Sequence, residues 1–228
     1  MCSSDLLYVV EEACKVKKIS LRGATVAIQG YGNVGSAVCQ ELHQKGVKIT
    51  GVGDRYGSIT NPQGIDLADL NQYLASGKRL PDYPGAEVIP NDELLTLPCT
   101  ILIPAAVERV ITGKNAAKLK CRVLAEAANG PTTPEADEKL AGSDIFIIPD
   151  ILCNAGGVTV SYFEWVQDIQ QFFWEEDEVN KKLELLMLRS FRKVLKRARD
   201  RKLSMRMAAL SLGIEKVAKE KLRRGLFP

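Results

Sequence analysis

A glycine-rich turn, Gly30-Tyr31-Gly32-Asn33-Val34-Gly35, constrains the fold of this chain more than any other segment. Residues 24–29 before it form a short apolar run rich in β-branched side chains, and residues 34–45 after it follow a helical pattern. A strand, a G-x-G-x-x-G turn and a helix in this order are typical of the phosphate-binding end of a dinucleotide-binding βαβ unit. The alternative is an ordinary strand-to-helix turn in which the glycines are incidental.

Each glycine of the turn is expected to have its own physical role. Gly30 permits a tight turn, Gly32 lets the backbone approach a pyrophosphate, and Gly35 lets the helix pack closely on the strand. The free N–H groups and the positive end of the helix dipole then favour a phosphate at the start of the helix. The turn therefore predicts a dinucleotide cofactor.

An acidic residue after the second predicted strand, residues 47–52, indicates which dinucleotide to expect. Asp54 lies 19 residues after Gly35, close to the separation of about 20 residues usual in such units. Its carboxylate can accept hydrogen bonds from the adenosine ribose hydroxyls and repels a 2′-phosphate, which favours NAD. NADP is the alternative, because Arg55 follows directly and an arginine can pair with a 2′-phosphate.

Strand and helix patterns continue to alternate beyond this unit. Further strands are predicted at 100–103, 122–125 and 145–148, helices at 67–75 and 134–140, and a polar loop at 55–66. Such alternation indicates parallel βαβ units with helices on both faces of a sheet. The expected fold class is α/β: a doubly wound, Rossmann-like, mostly parallel sheet with a C-terminal α-helical tail.

Three segments are predicted along the chain. Residues 7–170 form the dinucleotide-binding domain, which begins with a helix at 7–18, and residues 171–228 form the helical tail. In the tail, apolar residues at helical spacing mark one face that is expected to be buried: Leu183, Met187, Phe191, Val194 and Ala198. Residues 1–6 lack any such pattern and are expected to be a foreign prefix on a clipped gene.

The composition excludes some classes of protein. With 228 residues, 46% of them hydrophobic and 26% charged, the chain is neither disordered nor collagen-like. A formal net charge of +3 gives no overall reason to expect a nucleic-acid partner. Positive charge is concentrated in residues 181–228, which hold 16 Lys and Arg against 4 Asp and Glu. We interpret this segment as helices with solvated basic faces, and docking to an acidic partner or to nucleic acid is the alternative.

Cysteine and histidine usage argues against a metal site. The six cysteines include no C-x-x-C pair, and His43 is the sole histidine, so neither a zinc site nor a redox motif is expected. Reduced thiols in a cytoplasmic protein are favoured over disulfides, because a chain of this size does not need cross-links. The apolar runs are far shorter than the roughly 20 residues that span a bilayer, so no membrane association is expected.

Two long, irregular motifs carry a family resemblance. They are AEAANGPTTPEAD at residues 125–137 and PDILCNAGGVTVSYFEW at residues 149–165. Together with the turn at 30–35 and Ile103-Pro104-Ala105-Ala106, they resemble the C-terminal, cofactor-binding half of the glutamate/leucine/phenylalanine/valine dehydrogenase family. The resemblance implies reversible oxidative deamination of L-glutamate to 2-oxoglutarate and ammonia, with NAD or NADP as cofactor.

The same resemblance implies roles for individual cofactor-binding residues. The backbone N–H groups of Asn33 and Val34 would donate hydrogen bonds to the pyrophosphate, and Asn154 would form a hydrogen bond with the nicotinamide carboxamide. Three residues would line the nicotinamide ribose: Ala105, Ala106 and Asn129. With Gly30, Gly32, Gly35 and Asp54, these residues are the expected cofactor site. Turn-forming asparagines are the alternative reading for Asn129 and Asn154.

Two further residues are implied to contact the substrate, glutamate or 2-oxoglutarate. Val158 would pack beside it, and Ser161 would donate a hydrogen bond to its side-chain carboxylate. A hydroxyl at this position suits glutamate, whereas relatives that act on branched or aromatic amino acids prefer an apolar residue there. An ordinary helix serine is the alternative reading for Ser161.

No catalytic residue is assigned to this chain. The family's catalytic lysine and proton-relaying aspartate belong to an N-terminal half that has no counterpart in these residues, so the chain alone is expected to be inactive. The resemblance implies a homo-oligomer, commonly a hexamer, for the whole enzyme. The alternative function is a stand-alone dinucleotide-binding or sensor module without catalysis.

Overall fold

A seven-stranded sheet organises residues 4–225, the part of the chain described by the computed structural model. The strands, in chain order, are β1 (Thr25–Gln29), β2 (Lys48–Gly53), β3 (Ser58–Thr60), β4 (Glu87–Ile89), β5 (Ile101–Pro104), β6 (Val123–Ala125) and β7 (Phe146–Ile148). Their order across the sheet is β4-β3-β2-β1-β5-β6-β7. The pairs from β2 through β1, β5 and β6 to β7 are parallel, and β3 and β4 add an antiparallel edge. The predicted mostly parallel α/β sheet is thus confirmed.

Nine helices accompany the sheet within the described residues. They are α1 (Ser4–Val16), α2 (Asn33–Gln44), α3 (Leu67–Ala75), α4 (Asn91–Leu94), α5 (Pro134–Leu140), α6 (Asp150–Cys153), α7 (Ala155–Gln170), α8 (Glu176–Arg201) and α9 (Met205–Arg224). Short 3₁₀ turns lie at Leu80–Asp82 and Ala116–Lys118. Among residues 4–225, no helix is long and apolar enough to cross a membrane.

Side chains of the central strands alternate between two separate apolar cores. In β5, Ile101 and Ile103 join the larger core while Leu102 joins the smaller one. The same alternation sends Val123 of β6 to the larger core and Leu124 to the smaller. Because consecutive strand residues point to opposite faces, both faces of the sheet are covered, as the doubly wound prediction requires.

Helix α8 of the predicted tail packs into the larger core. Its buried residues are Leu183, Met187, Phe191, Val194 and Ala198, the same five that the apolar spacing marks. Arg192 of α8 also pairs with Glu12 of α1, with 3.2 Å between Nε and Oε2. The helix is therefore anchored to the sheet domain by apolar contact and by charge.

The first helix begins earlier than the predicted helix at 7–18. It starts at Ser4 and ends at Val16, so Asp5 and Leu6 of the predicted prefix lie within it and are buried. Asp5 Oδ2 accepts a 2.9 Å hydrogen bond from the N–H of Gly156 in α7. Met1–Ser3 of the prefix lie outside the described residues.

The predicted polar loop at 55–66 contains a strand. Residues 58–60 form β3, which pairs antiparallel with β2 and with β4. The sheet edge supplies the hydrogen bonds, so tertiary pairing outweighs the turn-like sequence there.

The described cysteines are unpaired. Within residues 4–225, all five are buried free thiols: Cys14, Cys39, Cys99, Cys121 and Cys153. Burial raises the pKa of Cys14 to about 11 and that of Cys99 to about 12. These thiols are therefore neutral core residues near pH 7.

Candidate functional site

A crevice opens at the carboxyl ends of β1 and β5, two parallel neighbours at the centre of the sheet. Ligands of open α/β sheets bind at this position, where the connections from two neighbouring strands lead to opposite sides of the sheet. After β1 the chain turns at Gly30, whose φ is +108°. A Cβ on Gly30 would lie 2.9 Å from the carbonyl carbon of Ala105 and from the nitrogen of Ala106. Gly30 thus allows both the turn and the close approach of the segment after β5.

The other two glycines of the turn have contrasting surroundings. A Cβ on Gly35 would lie 1.8 Å from the carbonyl oxygen of Gly30, so a glycine is required for α2 to pack on the turn. A Cβ on Gly32 would meet nothing within 4 Å. Gly32 therefore borders open space, and the absence of a side chain leaves room for a ligand to approach the backbone.

The start of α2 provides backbone donors beside this open space. Gly32 is the residue before the helix, and no side chain caps the first turn. The first N–H groups of a helix have no partner within the helix, so they are available to an anion. Val34, in this turn, is 47% exposed. The arrangement fits the pyrophosphate of a dinucleotide.

Two adjoining grooves make up the crevice. The first, which we call the phosphate groove, has a volume of about 620 Å³ and is lined by residues 30–35, 54–56, 105 and 106. The second, the β6–α7 groove, has a volume of about 780 Å³ and is lined by Ala106, Glu108, Ala127, Ala128, Asn129, Asn154 and Val158. Ala106 borders both grooves, so the two grooves adjoin at this residue.

Asp54 lies in the phosphate groove at the end of β2. One carboxylate oxygen, Oδ1, accepts hydrogen bonds from the N–H groups of Tyr56 at 2.7 Å and Gly57 at 3.1 Å. These two bonds fix the turn and the orientation of the carboxylate. The geometry leaves Oδ2 as the oxygen that suits a ribose hydroxyl.

An arginine and tyrosine cluster lies next to Asp54. The Arg55 guanidinium is 4.7 Å from the centre of the Tyr56 ring and donates a 2.6 Å hydrogen bond to the Tyr56 hydroxyl. Arg79 approaches the same ring at 5.2 Å. Arg55 is exposed and lines the phosphate groove, so positive charge is present near Asp54, as the NADP alternative requires.

The β6–α7 groove brings together the two asparagines that the family resemblance singles out. Asn154 Nδ2 donates to Asn129 Oδ1 at 2.7 Å and to the carbonyl oxygen of Ala127 at 3.2 Å. Asn154 directly precedes α7, and Asn129 lies in the loop between β6 and α5, residues 126–133. The pair links the two segments that line the groove.

Of the two predicted substrate residues, one lines the groove. Val158 does so and is 72% exposed. Ser161 lies one helical turn further along α7, is exposed, and lines neither groove. Their spacing of three residues places both on one face of α7.

The loop at 126–133 begins with Glu126, whose carboxylate is fully buried. Glu126 accepts a 2.6 Å hydrogen bond from the Thr132 hydroxyl and a 2.9 Å bond from the N–H of Asp150. Asp150 in turn accepts a 2.8 Å bond from the N–H of Gly130. The contacts of Glu126 and Asp150 therefore support the loop beside the groove.

Two residues of the site are not suggested by any sequence motif. Glu108 lines the β6–α7 groove, and Arg206 of α9 reaches the carboxylates beneath it. Arg206 and Glu126 are 80 residues apart in sequence, so no local spacing connects them. In residues 4–225, no group of three His, Cys, Asp or Glu side chains is placed to hold a metal ion.

Comparison with known proteins agrees with this geometry. The sequence model of the Glutamate/Leucine/Phenylalanine/Valine dehydrogenase family matches residues 1–225. A cryptic catabolic NAD-specific glutamate dehydrogenase of Bacillus subtilis is 43% identical over 219 residues, which are 95% of this chain and 50% of that protein. A glutamate dehydrogenase of Thermotoga maritima is 46% identical over 217 residues, 95% of this chain and 52% of that protein.

Solved structures give the same result for the fold. The hetero-hexameric glutamate dehydrogenase of Thermus thermophilus superposes with a TM-score of 0.91 at 33% identity. The superposition covers 99% of this chain and 53% of that one. The present chain thus spans about half the length of the relatives it matches.

Proposed function

The chain belongs to the Glutamate/Leucine/Phenylalanine/Valine dehydrogenase family, and on that premise we propose that it is the dinucleotide-binding part of an amino-acid dehydrogenase. The reaction proposed for the whole enzyme is the reversible oxidative deamination of L-glutamate to 2-oxoglutarate and ammonia. When bound, the dinucleotide supplies the hydride acceptor for that reaction. This chain supplies the surface that holds and orients it.

One observation carries the proposal. Gly32 borders open space at an uncapped helix start, while Gly30 and Gly35 of the same turn are closely packed. Gly30 and Gly35 have no room for a Cβ, whereas Gly32 has nothing within 4 Å. A turn that needed glycine only for its own packing would not leave this central position open. Gly32 directly precedes α2, and the first N–H groups of a helix are suited to stabilise a pyrophosphate.

We propose NAD as the cofactor. The Asp54 carboxylate is held in place by two backbone N–H groups, and a fixed negative charge there disfavours a 2′-phosphate. A 43% identical relative is NAD-specific by name. NADP remains the second candidate, because a 2′-phosphate needs positive charge near Asp54. The guanidinium groups of Arg55 and Arg79 lie 4.7 and 5.2 Å from the centre of the Tyr56 ring, beside Asp54.

Glutamate is proposed as the substrate on the basis of α7. Val158 borders the groove with the two asparagines, and Ser161 presents its hydroxyl one turn away on an exposed part of the helix. A hydroxyl can donate a hydrogen bond to a carboxylate. The two curated relatives that the chain resembles here are glutamate dehydrogenases by name.

Binding without turnover is the behaviour proposed for this chain by itself. Among residues 4–225, neither a lysine nor an arginine lines the β6–α7 groove, where the substrate is proposed to bind, and a cationic group is needed to polarise the carbonyl or imine. The proposed whole enzyme is a homo-oligomer, and the hetero-hexameric neighbour supports assembly into an oligomer but not the identity of the subunits. We also propose a cytoplasmic location, which the five free cysteines support.

The proposal is tested by mixing the purified chain with the N-terminal half of the Thermotoga maritima relative. NADH binding is followed by its fluorescence, and glutamate oxidation by NADH absorbance. We expect the chain alone to bind NADH more tightly than NADPH and to show no turnover, and glutamate oxidation to appear when the second half is present. A chain that binds NADH and yields no turnover with any such half would favour the sensor module, and a folded chain that binds neither nucleotide would overturn the proposal.

A further inference from the structure

A partly buried guanidinium connects α9 to the loop at residues 126–133. Arg206, in the first turn of α9, contacts three carboxylates with its three nitrogen atoms. Nη2 lies 2.5 Å from Glu126 Oε1, Nε lies 2.9 Å from Asp137 Oδ2, and Nη1 lies 3.2 Å from Asp150 Oδ1. Lysine could not reproduce this arrangement, because it has one donor atom rather than a planar fork of three.

The charge on Arg206 is required by its surroundings. Glu126 is fully buried, and a buried carboxylate is stable only when it is paired or hydrogen-bonded. Burial alone lowers the pKa of Arg206, but hydrogen bonds and attraction from Glu126 and Asp137 outweigh it and raise the pKa above its usual value. The guanidinium therefore stays charged and fixed in place.

Asp150 connects Arg206 to the backbone of the loop, because its two carboxylate oxygens contact one each. Oδ1 of Asp150 is the atom that contacts Arg206, while Oδ2 accepts the 2.8 Å hydrogen bond from the N–H of Gly130. The φ of Gly130 is +55°, a conformation that needs an external constraint to be the only one populated. Gly130 follows Asn129, whose side chain bonds Asn154 across the β6–α7 groove.

From this chain of contacts we infer that Arg206 is a positioning residue, which acts through Asp150 and Gly130 to hold Asn129 and Asn154 in the orientation that receives the nicotinamide end of the dinucleotide. The inference rests on the proposed function and adds a residue that touches neither groove. It predicts that Arg206 affects one end of the ligand only. The three carboxylates that contact Arg206 do not line the phosphate groove, which is lined by residues 30–35, 54–56, 105 and 106.

A comparison of two ligands distinguishes effects at the two ends of the site. NADH occupies both grooves in the proposed function, whereas ADP has only the adenosine and phosphate part and occupies the phosphate groove. The measured quantity is the ratio of the NADH affinity to the ADP affinity, obtained by calorimetric titration of the full chain. A general loss of fold would lower both affinities together, so the ratio reports positioning rather than stability.

Three variants complete the experiment. Arg206→Lys keeps the charge that Glu126 needs but loses the three-way contact. Asp150→Asn retains the contacts of Arg206 with Glu126 and Asp137, but an amide has one oxygen and cannot serve both Arg206 and Gly130. The matched control is Arg197→Gln, which breaks a 2.6 Å ion pair with Glu215 between α8 and α9, away from the loop. Thermal unfolding monitors the fold of each variant.

We expect Arg206→Lys and Asp150→Asn each to lower the ratio by about fivefold or more, a typical coupling effect for a residue outside the ligand contacts. ADP affinity should change less than about twofold, and the control should change neither affinity. The inference is overturned if both affinities fall in proportion, if the ratio is unchanged in folded variants, or if both variants unfold. Failure of the proposed function would appear differently, as a wild-type chain that does not bind NADH.

Discussion

The carbonyl oxygen of Gly30 lies 1.8 Å from the point where a Cβ on Gly35 would stand. The end of β1 and the first turn of α2 are therefore packed against each other with no space for a side chain. Gly32, between them, has the opposite property, since its Cβ would meet no atom within 4 Å. Under the proposed function, Gly35 therefore determines the stability of the turn, whereas Gly32 affects ligand binding.

This separation predicts different outcomes for two alanine substitutions. Gly35→Ala should lower the free energy of unfolding by about 3 kcal/mol, because a methyl group is forced against backbone atoms. Gly32→Ala should change it by less than about 1 kcal/mol and should weaken NADH binding, because the methyl group occupies the space left for the pyrophosphate. Urea unfolding and NADH titration of both variants test this. Unchanged NADH affinity in Gly32→Ala would contradict the assigned role.

A second prediction concerns the attachment of α8 to the sheet domain. Phe191 is fully buried, and its ring centre is 6.2 Å from that of Phe146 in β7. Phe191→Ala should lower the free energy of unfolding by about 3–5 kcal/mol because it leaves a cavity. Leu185→Ala on the same helix is the control, since Leu185 is 48% exposed and should cost less than about 1 kcal/mol. Equal, small losses in both variants would show that α8 is not part of the core.

The buried thiols give a third prediction, measured in a Cys2→Ser background so that only described cysteines remain. Burial raises the pKa of Cys14 to about 11 and that of Cys121 to about 12. Since only the thiolate attacks a disulfide reagent, Ellman's reagent at pH 8 should label none of the five thiols rapidly. All five should react once urea unfolds the chain. A rapidly labelled thiol in the folded protein would contradict the burial of these side chains.

Acid should weaken the contact between α8 and α9. Hydrogen bonds from Lys219 and Arg197 lower the pKa of Glu215 from 4.5 to about 2. A carboxylate with a lowered folded-state pKa stabilises the fold above pH 4.5 and loses that contribution as the pH falls toward 2. Glu215→Gln should therefore flatten the decline in unfolding free energy across this window, by a small amount because the pair is partly exposed. Glu220→Gln on the same helix is the control, and identical profiles for Glu215→Gln and the wild type would refute the pairing.

Local signals in the sequence predicted the elements that carry their own capping residues. Helix α3 has the predicted bounds because Asp66 accepts hydrogen bonds from the N–H groups of Ala68 and Asp69. Helix α5 also has the predicted bounds, 134–140, because the Thr133 side chain accepts a hydrogen bond from the N–H of Ala136. The apolar spacing of α8 likewise identified its buried face.

Features created by contacts distant in sequence could not be predicted in this way. Strands β3 and β4 are three residues long and exist because the sheet edge pairs with them. Arg206 reaches Glu126 across 80 residues of sequence, and neither residue belongs to a spacing pattern that would connect them. The glycine turn predicted the strand and the helix that flank it, whereas the contacts of Arg206 beneath the β6–α7 groove became visible only in the folded chain.

The most direct test of the account is a crystal structure of the chain with bound NADH. We predict a pyrophosphate within hydrogen-bond distance of the N–H groups of Asn33 and Val34, a ribose hydroxyl at Asp54, and the nicotinamide in the groove lined by Asn129 and Asn154. NADH bound elsewhere on the chain, or crystals that remain free of NADH at millimolar concentration with both grooves open to solvent, would contradict the account.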